Sequence, residues 1–445
     1  MSLFRQSVLT FITRMTITLV NIPISMIIAR TLGPEGQGIY SAAITFPNLW
    51  AGFGLLGLDA AHLYFLARDR QRLGPILANS LLLLFCFGAT LFISYLWLVE
   101  PLMGERGAAL RPYLILSGLV VPLIVARHLL LSLFLGMGRV DRYNGLLVVS
   151  QLSLLAMVAL GLLVAGQGAE VERGSRFVIV AYQASLLAFI LPALLWVRRQ
   201  ATAEDRARMR PSGRLLRDSA VYGLKGHLGS VFTQFSYRFD MVLVLRWLGA
   251  AQQGYYSIAV ILAEKLTHLT ASVQFVLFPR ISAASREEAD RITPIVCRQT
   301  LLWMLLAGAA LYLLAGFLIR LFYTSAYDPA LQPLRVLLPG IVALTLSNVL
   351  SSDFSGRNRR GLTTIAMGIG FGLNLGLNIL WIPRHGLLGA AWASTISYST
   401  QSVIMALFFW RITAISPLSL ILPRPSDVRL YLDAFVQLRQ RLRRR

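Results

Sequence analysis

Runs of twenty or more apolar residues follow one another along this chain with only short polar breaks between them. A bilayer's hydrocarbon core is about 30 Å thick, and a helix needs roughly 20 residues to cross it. About twelve runs are long enough, near 7–30, 38–66, 75–99, 111–135, 145–166, 176–197, 219–245, 253–279, 295–319, 331–354, 361–383 and 387–411. The composition agrees: 56% of residues are hydrophobic, 14% are charged and the mean hydropathy is +0.64. Those values exclude an ordinary soluble protein. The expected fold is all-α, a polytopic membrane protein.

A net charge of +22 would suggest nucleic acid in a soluble chain. Here the placement of the charge assigns it to topology. The termini and alternate connections hold 28 of the 42 basic residues: Arg5, Arg68 to Arg72, Arg139 and Arg142, the arginines of 198–217, Arg280 to Arg298, Arg357 to Arg360, and those from Arg411 onward. The opposite connections hold eight, among them Arg30, Arg106, Arg246 and Arg320. Basic loops stay on the cytoplasmic side, so both termini are expected inside and no nucleic-acid partner is expected. The first apolar stretch is long, is broken by Arg14, Asn21 and Pro23, and lacks a small-residue cleavage site, so it reads as a retained helix. Cys86 and Cys297 fall in separate apolar runs and suggest neither a disulfide nor a metal site.

An internal repeat divides the chain. RTLGPEGQGIYSAA from Arg30 laid over RWLGAAQQGYYSIA from Arg246 matches at eight of fourteen positions. The pairs are Arg30/Arg246, Leu32/Leu248, Gly33/Gly249, Gln37/Gln253, Gly38/Gly254, Tyr40/Tyr256, Ser41/Ser257 and Ala43/Ala259. Such repeats mark transporters whose halves rock about a central site. Residues 1–197 and 218–411 are therefore expected to form two six-helix lobes, related as a parallel repeat. The basic stretch 198–217 is the cytoplasmic linker and hinge. Residues 412–445 form a basic tail in which Leu430, Ala434, Phe435, Leu438 and Leu442 can share one face on an anionic leaflet; a structureless basic end is the alternative. Pro23, Pro47, Pro122, Pro192 and Pro339 are expected to interrupt their spans, since each lacks a backbone donor.

Ionisable residues inside lipid are costly, so they line cavities or pair. Arg14, Arg127 and Lys225 fall about 10–13 Å from the inner ends of helices 1, 4 and 7, counting 1.5 Å per residue. There they either line a cavity or snorkel to the interface. Arg238 lies a third of the way in from the outer end of helix 7, and either serves a cavity or pairs with Asp240 or Asp59. Lys265, near the middle of helix 8, is the deepest and is expected to line a cavity. Glu264 and His268 share a helical face, one turn apart, as a proton-responsive pair or a packed hydrogen bond. Asp59 and His62 read the same way, and Asp353 sits at the inner end of helix 10. The basic surplus suits an anionic cargo, and the arginine fork suits phosphate. Asp59, Asp240, Glu264 and His268 are the candidates for ion coupling or structural pairing. No cofactor is expected beyond coupling to H⁺ or Na⁺.

ARTLGPEGQGIYSAA with LLGLDAA, GMGRVDRYN, YGLKGHLGS, YRFDMVLVLRWLGAAQQGYYSIAVILAEKL, FPRIS and LNILWIPRHGLLGAAWAS resembles the oligosaccharide-lipid (Wzx-type) flippases of the multidrug/oligosaccharidyl-lipid/polysaccharide exporter superfamily. The resemblance spans residues 10–411. It implies two lobes in a V around a central cavity, in the bacterial inner membrane. It also implies flipping of undecaprenyl-pyrophosphate-linked oligosaccharide to the periplasmic leaflet for O-antigen, capsule or exopolysaccharide synthesis. The partners it implies are the lipid-linked sugar, membrane lipids, and a polysaccharide polymerase with its chain-length regulator. Two rival readings are a cation-coupled drug exporter on the same fold, and a membrane glycan polymerase or ligase. The basic core opposes the first. Short non-cytoplasmic loops oppose the second and any other enzyme.

Overall fold

The computed structural model describes residues 3–165 and 170–424, and helix is the only regular structure among them. In chain order the helices are α1 (Leu3–Gly54), α2 (Leu58–Arg68), α3 (Leu73–Leu102), α4 (Gly107–Gly118), α5 (Val120–Gly136), α6 (Val140–Ala165), α7 (Val171–Gln200) and α8 (Ala203–Ala207). Then come α9 (Gly213–Leu248), α10 (Ala250–Lys265), α11 (Thr267–Ala283), α12 (Arg286–Tyr323), α13 (Leu331–Gly356) and α14 (Arg360–Thr413). Among the described residues, nine helical stretches are long and apolar enough to cross a bilayer. The 52-residue α1 and 54-residue α14 each contain one glycine out of helical conformation, Gly33 (φ 66°) and Gly386 (φ 59°). The helix α9 is not among the nine, because Lys225, His227, Gln234, Arg238 and Asp240 dilute its apolar content. The count of twelve crossings stays an expectation.

The prolines act differently from the expectation. Pro23, Pro47, Pro192 and Pro339 lie inside helices that continue through them. Their side chains remove one donor each without ending the helix, as neighbouring helices in a bundle allow. Only near Pro122 do two helices separate, where α4 ends at Gly118 and α5 begins at Val120.

By packing, the chain forms two compact units: residues 1–257 with 319–328, and residues 258–318 with 329–445. Six-helix lobes at 1–197 and 218–411 follow the repeat instead, and remain a proposal. Within the first unit, Ile24, Ile28, Leu32, Leu154, Val158 and Val178 build a core between α1, α6 and α7. The 198–217 stretch carries the short helix α8, closed by a reciprocal capping box between Thr202 and Asp205. Buried Asn79 of α3 holds both backbone groups of Ser212, accepting from its N–H at 2.9 Å and donating to its carbonyl at 3.1 Å. Ser212 in turn caps α9. This connection is docked along its length on the start of α3, where Arg70 also lies 3.7 Å from Asp205.

Within the second unit, Cys297, Val349, Leu350, Phe354, Ala366, Met405 and Phe409 form the core among α12, α13 and α14. Its base carries a buried ionic network. Asp353 accepts from Thr293 (2.7 Å) and from Arg357 Nε (2.7 Å), while Arg357 Nη2 lies 2.8 Å from Asp290. Burial alone would lower the Arg357 pKa, but its two carboxylate partners outweigh that and raise it. The first residues of the basic tail are fixed here as well. Arg286 donates to the Ile412 carbonyl, Arg298 to that of Ser419, and Leu420 is fully buried. The amphipathic segment expected around Leu430 to Leu442 lies outside the described residues.

Candidate functional site

The two repeat copies meet inside the first unit. Gly33 and Gly249, equivalent in the repeat, both hold positive φ with extended ψ (66°/−171° and 94°/179°), a conformation that favours glycine. Each ends one long helix and lets the next begin. The following helices then touch backbone to backbone. A side chain on Gly38 would overlap the carbonyl oxygen of Ala250, and one on Gly254 would overlap that of Pro34. Pro34 and Ala250 are themselves a repeat pair, so the contact is reciprocal. Gln37 Nε2 donates to Ser257 Oγ at 3.4 Å and Gln253 Nε2 donates to Ser41 Oγ at 3.4 Å. Four pairs of the repeat thus make reciprocal contacts about a local two-fold. Arg30 caps the carbonyls of Leu321 and Phe322, and Arg246 caps that of Leu102. The carbonyls at these helix ends lack partners within their own helices, which is why a guanidinium suits them.

The helices that the repeat relates, helix 2 and helix 8, are both discontinuous. Helix 2 runs through the second part of α1, breaks at Leu55–Gly57 and resumes as α2. Leu56 (φ 47°) and Gly57 (φ 71°) adopt left-handed conformations there. Gly57 is required by more than its torsion, since a Cβ there would lie 2.5 Å from the carbonyl oxygen of Gly223 on α9. Asp59 follows in the first turn of α2, where the helix dipole favours a negative charge. Its carboxylate lies 3.9 Å from His128 Nδ1 on α5. Arg127 is adjacent in sequence and half-buried, and its Nε has no hydrogen-bond partner among the described residues. His62, one turn after Asp59, is buried with Nδ1 3.4 Å from Ser80 Oγ. Asp59, Arg127 and His128 therefore converge where two broken helices, 2 and 4, pass each other.

In the second unit, α10 ends at Lys265 and α11 begins at Thr267. The joint is tightened by i→i+3 bonds, Leu266 N–H to Ala263 O (3.2 Å) and Leu269 N–H to Leu266 O (3.1 Å). The Thr267 hydroxyl donates to the Glu264 carbonyl at 2.7 Å. Glu264, Lys265 and His268 are all half-buried around this joint. Transporters place binding groups at such unwound points because freed backbone and charged side chains can face a wet cavity there.

The remaining candidates are dispersed. Arg14 is exposed on α1 and makes no ion pair among the described residues. Arg238 is half-buried on α9; two residues on, Asp240 is 2% exposed and accepts from the Tyr256 hydroxyl (2.6 Å) and the Met241 N–H (2.7 Å). Lys225 follows Gly223 by two residues on α9, and its side chain lies outside the described set. Sequence reading passed over Arg335, half-buried on α13 with its guanidinium 4.9 Å from the Tyr312 ring and its Nε without a hydrogen-bond partner among the described residues. The reciprocal Gln–Ser pairs were also missed, although their identity in both copies was visible in the repeat.

A family model described as polysaccharide biosynthesis protein matches residues 4–285. The chain belongs to that family. Among its relatives, a Haloferax volcanii protein named as a low-salt glycan biosynthesis flippase is 22% identical over 385 residues, covering 85% of this chain and 77% of the relative. A Shigella flexneri protein carrying an O-antigen transporter name is 22% identical over 433 residues, covering 92% and 96%. Among solved structures, an inward-facing multidrug-resistance transporter of the MATE family superposes with a TM-score of 0.74 at 18% identity, covering 91% of this chain and 98% of that one. The lipid II flippase MurJ in an inward closed conformation gives 0.70 at 16% identity, covering 98% and 91%. The family member described here thus shares the polytopic helical fold of those exporters.

Proposed function

We propose that this family member is a flippase that moves undecaprenyl-pyrophosphate-linked oligosaccharide from the cytoplasmic to the periplasmic leaflet. It would serve surface polysaccharide synthesis as a transporter rather than an enzyme. The observation that carries the reading is the set of basic side chains at helix breaks within the apolar spans, Lys265 at the α10–α11 joint and Arg127 beside the broken helices 2 and 4. Family membership and the names of the relatives support it. A pyrophosphate offers several acceptor oxygens, and charge-assisted hydrogen bonds from arginine and lysine are the strong kind. Arg14, Arg127, Lys225, Arg238 and Lys265 are the proposed headgroup ligands. Asp59, Asp240, Glu264 and His268 are the groups proposed to couple ions or brace those cations.

Alternating access would proceed by parting and re-forming the reciprocal contact between the repeats; the basic excess in the opposite loops supports a periplasmic position for it. An anionic headgroup moving outward is driven by the membrane potential, at about 2.3 kcal/mol per charge per 100 mV. Coupling to H⁺ or Na⁺ would add to that drive, and a polymerase with its chain-length regulator would take up the product. The test is Lys265→Ala and Arg238→Ala in cells that display a surface glycan. Display is expected to be lost while membrane insertion is unchanged, and normal display in both variants would refute the site. A drug exporter on the same fold is the second reading, favoured by the MATE superposition alone. It predicts drug efflux with intact glycan display in a deletion strain.

A further inference from the structure

At one end of the first unit, four helix ends meet. Arg30 stands in the last turn before the break at Gly33, and Arg246, its repeat partner, in the last turn of α9 before Gly249. Neither guanidinium serves its own helix. Arg30 Nε donates to the Phe322 carbonyl at 3.0 Å and Nη2 to that of Leu321, both in the last turn of α12. Arg246 Nη1 donates to the carbonyl of Leu102, the last residue of α3. The helices α3 and α12 are themselves counterparts, each the third apolar run of its half. The turns beyond them match too. Gly104 (φ 59°) and Thr324 (φ 79°) are both left-handed, each two residues past the accepting carbonyl of Leu102 or Phe322, and each stands at the entry of a 3₁₀ turn. The first helix of each half therefore clasps the third helix of the other.

Carbonyls in a helix's last turn have no partner within it, and that end carries about half a negative charge. Four such ends gathered together repel one another unless cations lie among them. This accounts for arginine in connections that otherwise hold few basic residues. Four other arginines of those connections, Arg111, Arg173, Arg176 and Arg320, answer to carboxylates instead. Arg30 and Arg246 form no ion pair among the described residues. The two clasps are unequally reinforced. Beside Arg30, Ser25 Oγ donates to Tyr323 Oη (3.3 Å) and Tyr327 Oη donates to the Ala29 carbonyl (3.2 Å), both bonds buried. Beside Arg246 there is packing alone: its guanidinium lies 3.6 Å from where a Cβ on Gly104 would stand, and that of Arg106 fills the Cβ position of Gly249.

We propose that the two arginine clasps form a paired latch over the contact between the repeats, made while that end of the transporter is closed and released when it opens. The proposal rests on the flippase reading, with this end taken as periplasmic, and adds the groups that hold the closed state. Each clasp runs from one half to the other, so neither half can turn away while its clasp is made. Arg30 is exposed and Arg246 half-buried. Their carbonyl bonds can be exchanged for water without stranding a charge in the interior, which a buried ion pair could not do. That makes the fastening reversible.

The test keeps the full-length protein in its membrane. Ser257→Cys, with the exposed Cys86 replaced, is labelled by a membrane-impermeant maleimide in intact spheroplasts, a readout independent of the cargo. Arg246→Gln is expected to raise the labelling rate roughly tenfold, the scale of one charge-assisted hydrogen bond. Arg30→Gln should raise it less, because the two tyrosine bonds remain, and Arg30→Gln with Tyr327→Phe should raise it further. Arg246→Lys keeps a charged donor and should label near the parental rate. Folded Gln variants that label at the parental rate would overturn the latch and leave the flippase reading standing. A second arm joins Arg246→Cys to Leu102→Cys, and separately Arg30→Cys to Leu321→Cys, with a short reducible bis-methanethiosulfonate; both leucines are exposed. The tether stands in for the lost clasp, so this arm also serves if a Gln variant does not fold. Newly made surface glycan should fall on crosslinking and return on reduction. Undiminished glycan under complete crosslinking would overturn the latch. Normal glycan in a deletion strain would instead overturn the flippase reading, with the labelling arm still deciding the latch.

Discussion

Gly254→Ala adds one methyl group at the point where the repeat copies touch. The new Cβ would lie 2.8 Å from the Pro34 carbonyl carbon and 3.1 Å from its Cα, and would overlap the oxygen. Ordinary carbon contacts start near 3.4 Å, so the two backbones must retreat by more than half an ångström. The obstacle is main chain, which cannot rotate aside as a side chain would. Overpacking of this kind typically costs about 1–3 kcal/mol, here levied only on the state in which the copies are in contact. An equilibrium between closed and parted states would shift by roughly 5- to 150-fold toward the parted one. The readout is labelling of Ser257→Cys by a membrane-impermeant maleimide in intact spheroplasts, after replacing the exposed Cys86. Gly254→Ala should raise the labelling rate several-fold, and Gly38→Ala should do the same because its clash with Ala250 is the mirror of the first. Unchanged labelling in both, with the protein folded, would refute the reasoning. An effect of only one would refute the local two-fold.

Two further outcomes follow from buried charges. Arg357→Ala strips the main partner from Asp353, which is fully buried, and should destabilise the second unit by about 3–5 kcal/mol, seen as loss of folded protein in detergent; Asp353→Ala added to it should recover part of that loss. Tyr256→Phe removes a donor from buried Asp240 and should lower thermal stability by about 1.5–3 kcal/mol, with a much smaller penalty when Asp240→Asn is already present. Additive losses in that pair would show that the hydroxyl and carboxylate do not act together.

The helical class and the membrane setting were legible because apolar runs of bilayer length leave few other folds open. The repeat was legible too, and its identities mark the residues that meet across the local two-fold. Helix breaks were read poorly. Pro47 and Pro339 drew attention and are passed over by continuous helix, whereas the break at Leu266 was not foreseen; at Leu55–Gly57 the glycines Gly52, Gly54 and Gly57 suggested bending or close approach in helix 2 without locating the break. A proline's missing donor can be tolerated in place, while a break depends on what packs beside it, such as Gly223 against Gly57. The meeting of Asp59 with His128 was likewise hidden, since 69 positions separate them and only the crossing of α2 with α5 brings them near.

The contact between the repeats gives a physical reason for the likeness of the two segments that make it. The two copies of the repeat meet like the matching patches of an isologous dimer, here within a single chain. Residues behind that seam have private neighbours. At the seam each half is the other's neighbour, so a change in Gly38 or Gln37 is felt at once by its twin's surroundings. Along that line a side chain has to suit both copies at once, which ties the two sequences to each other.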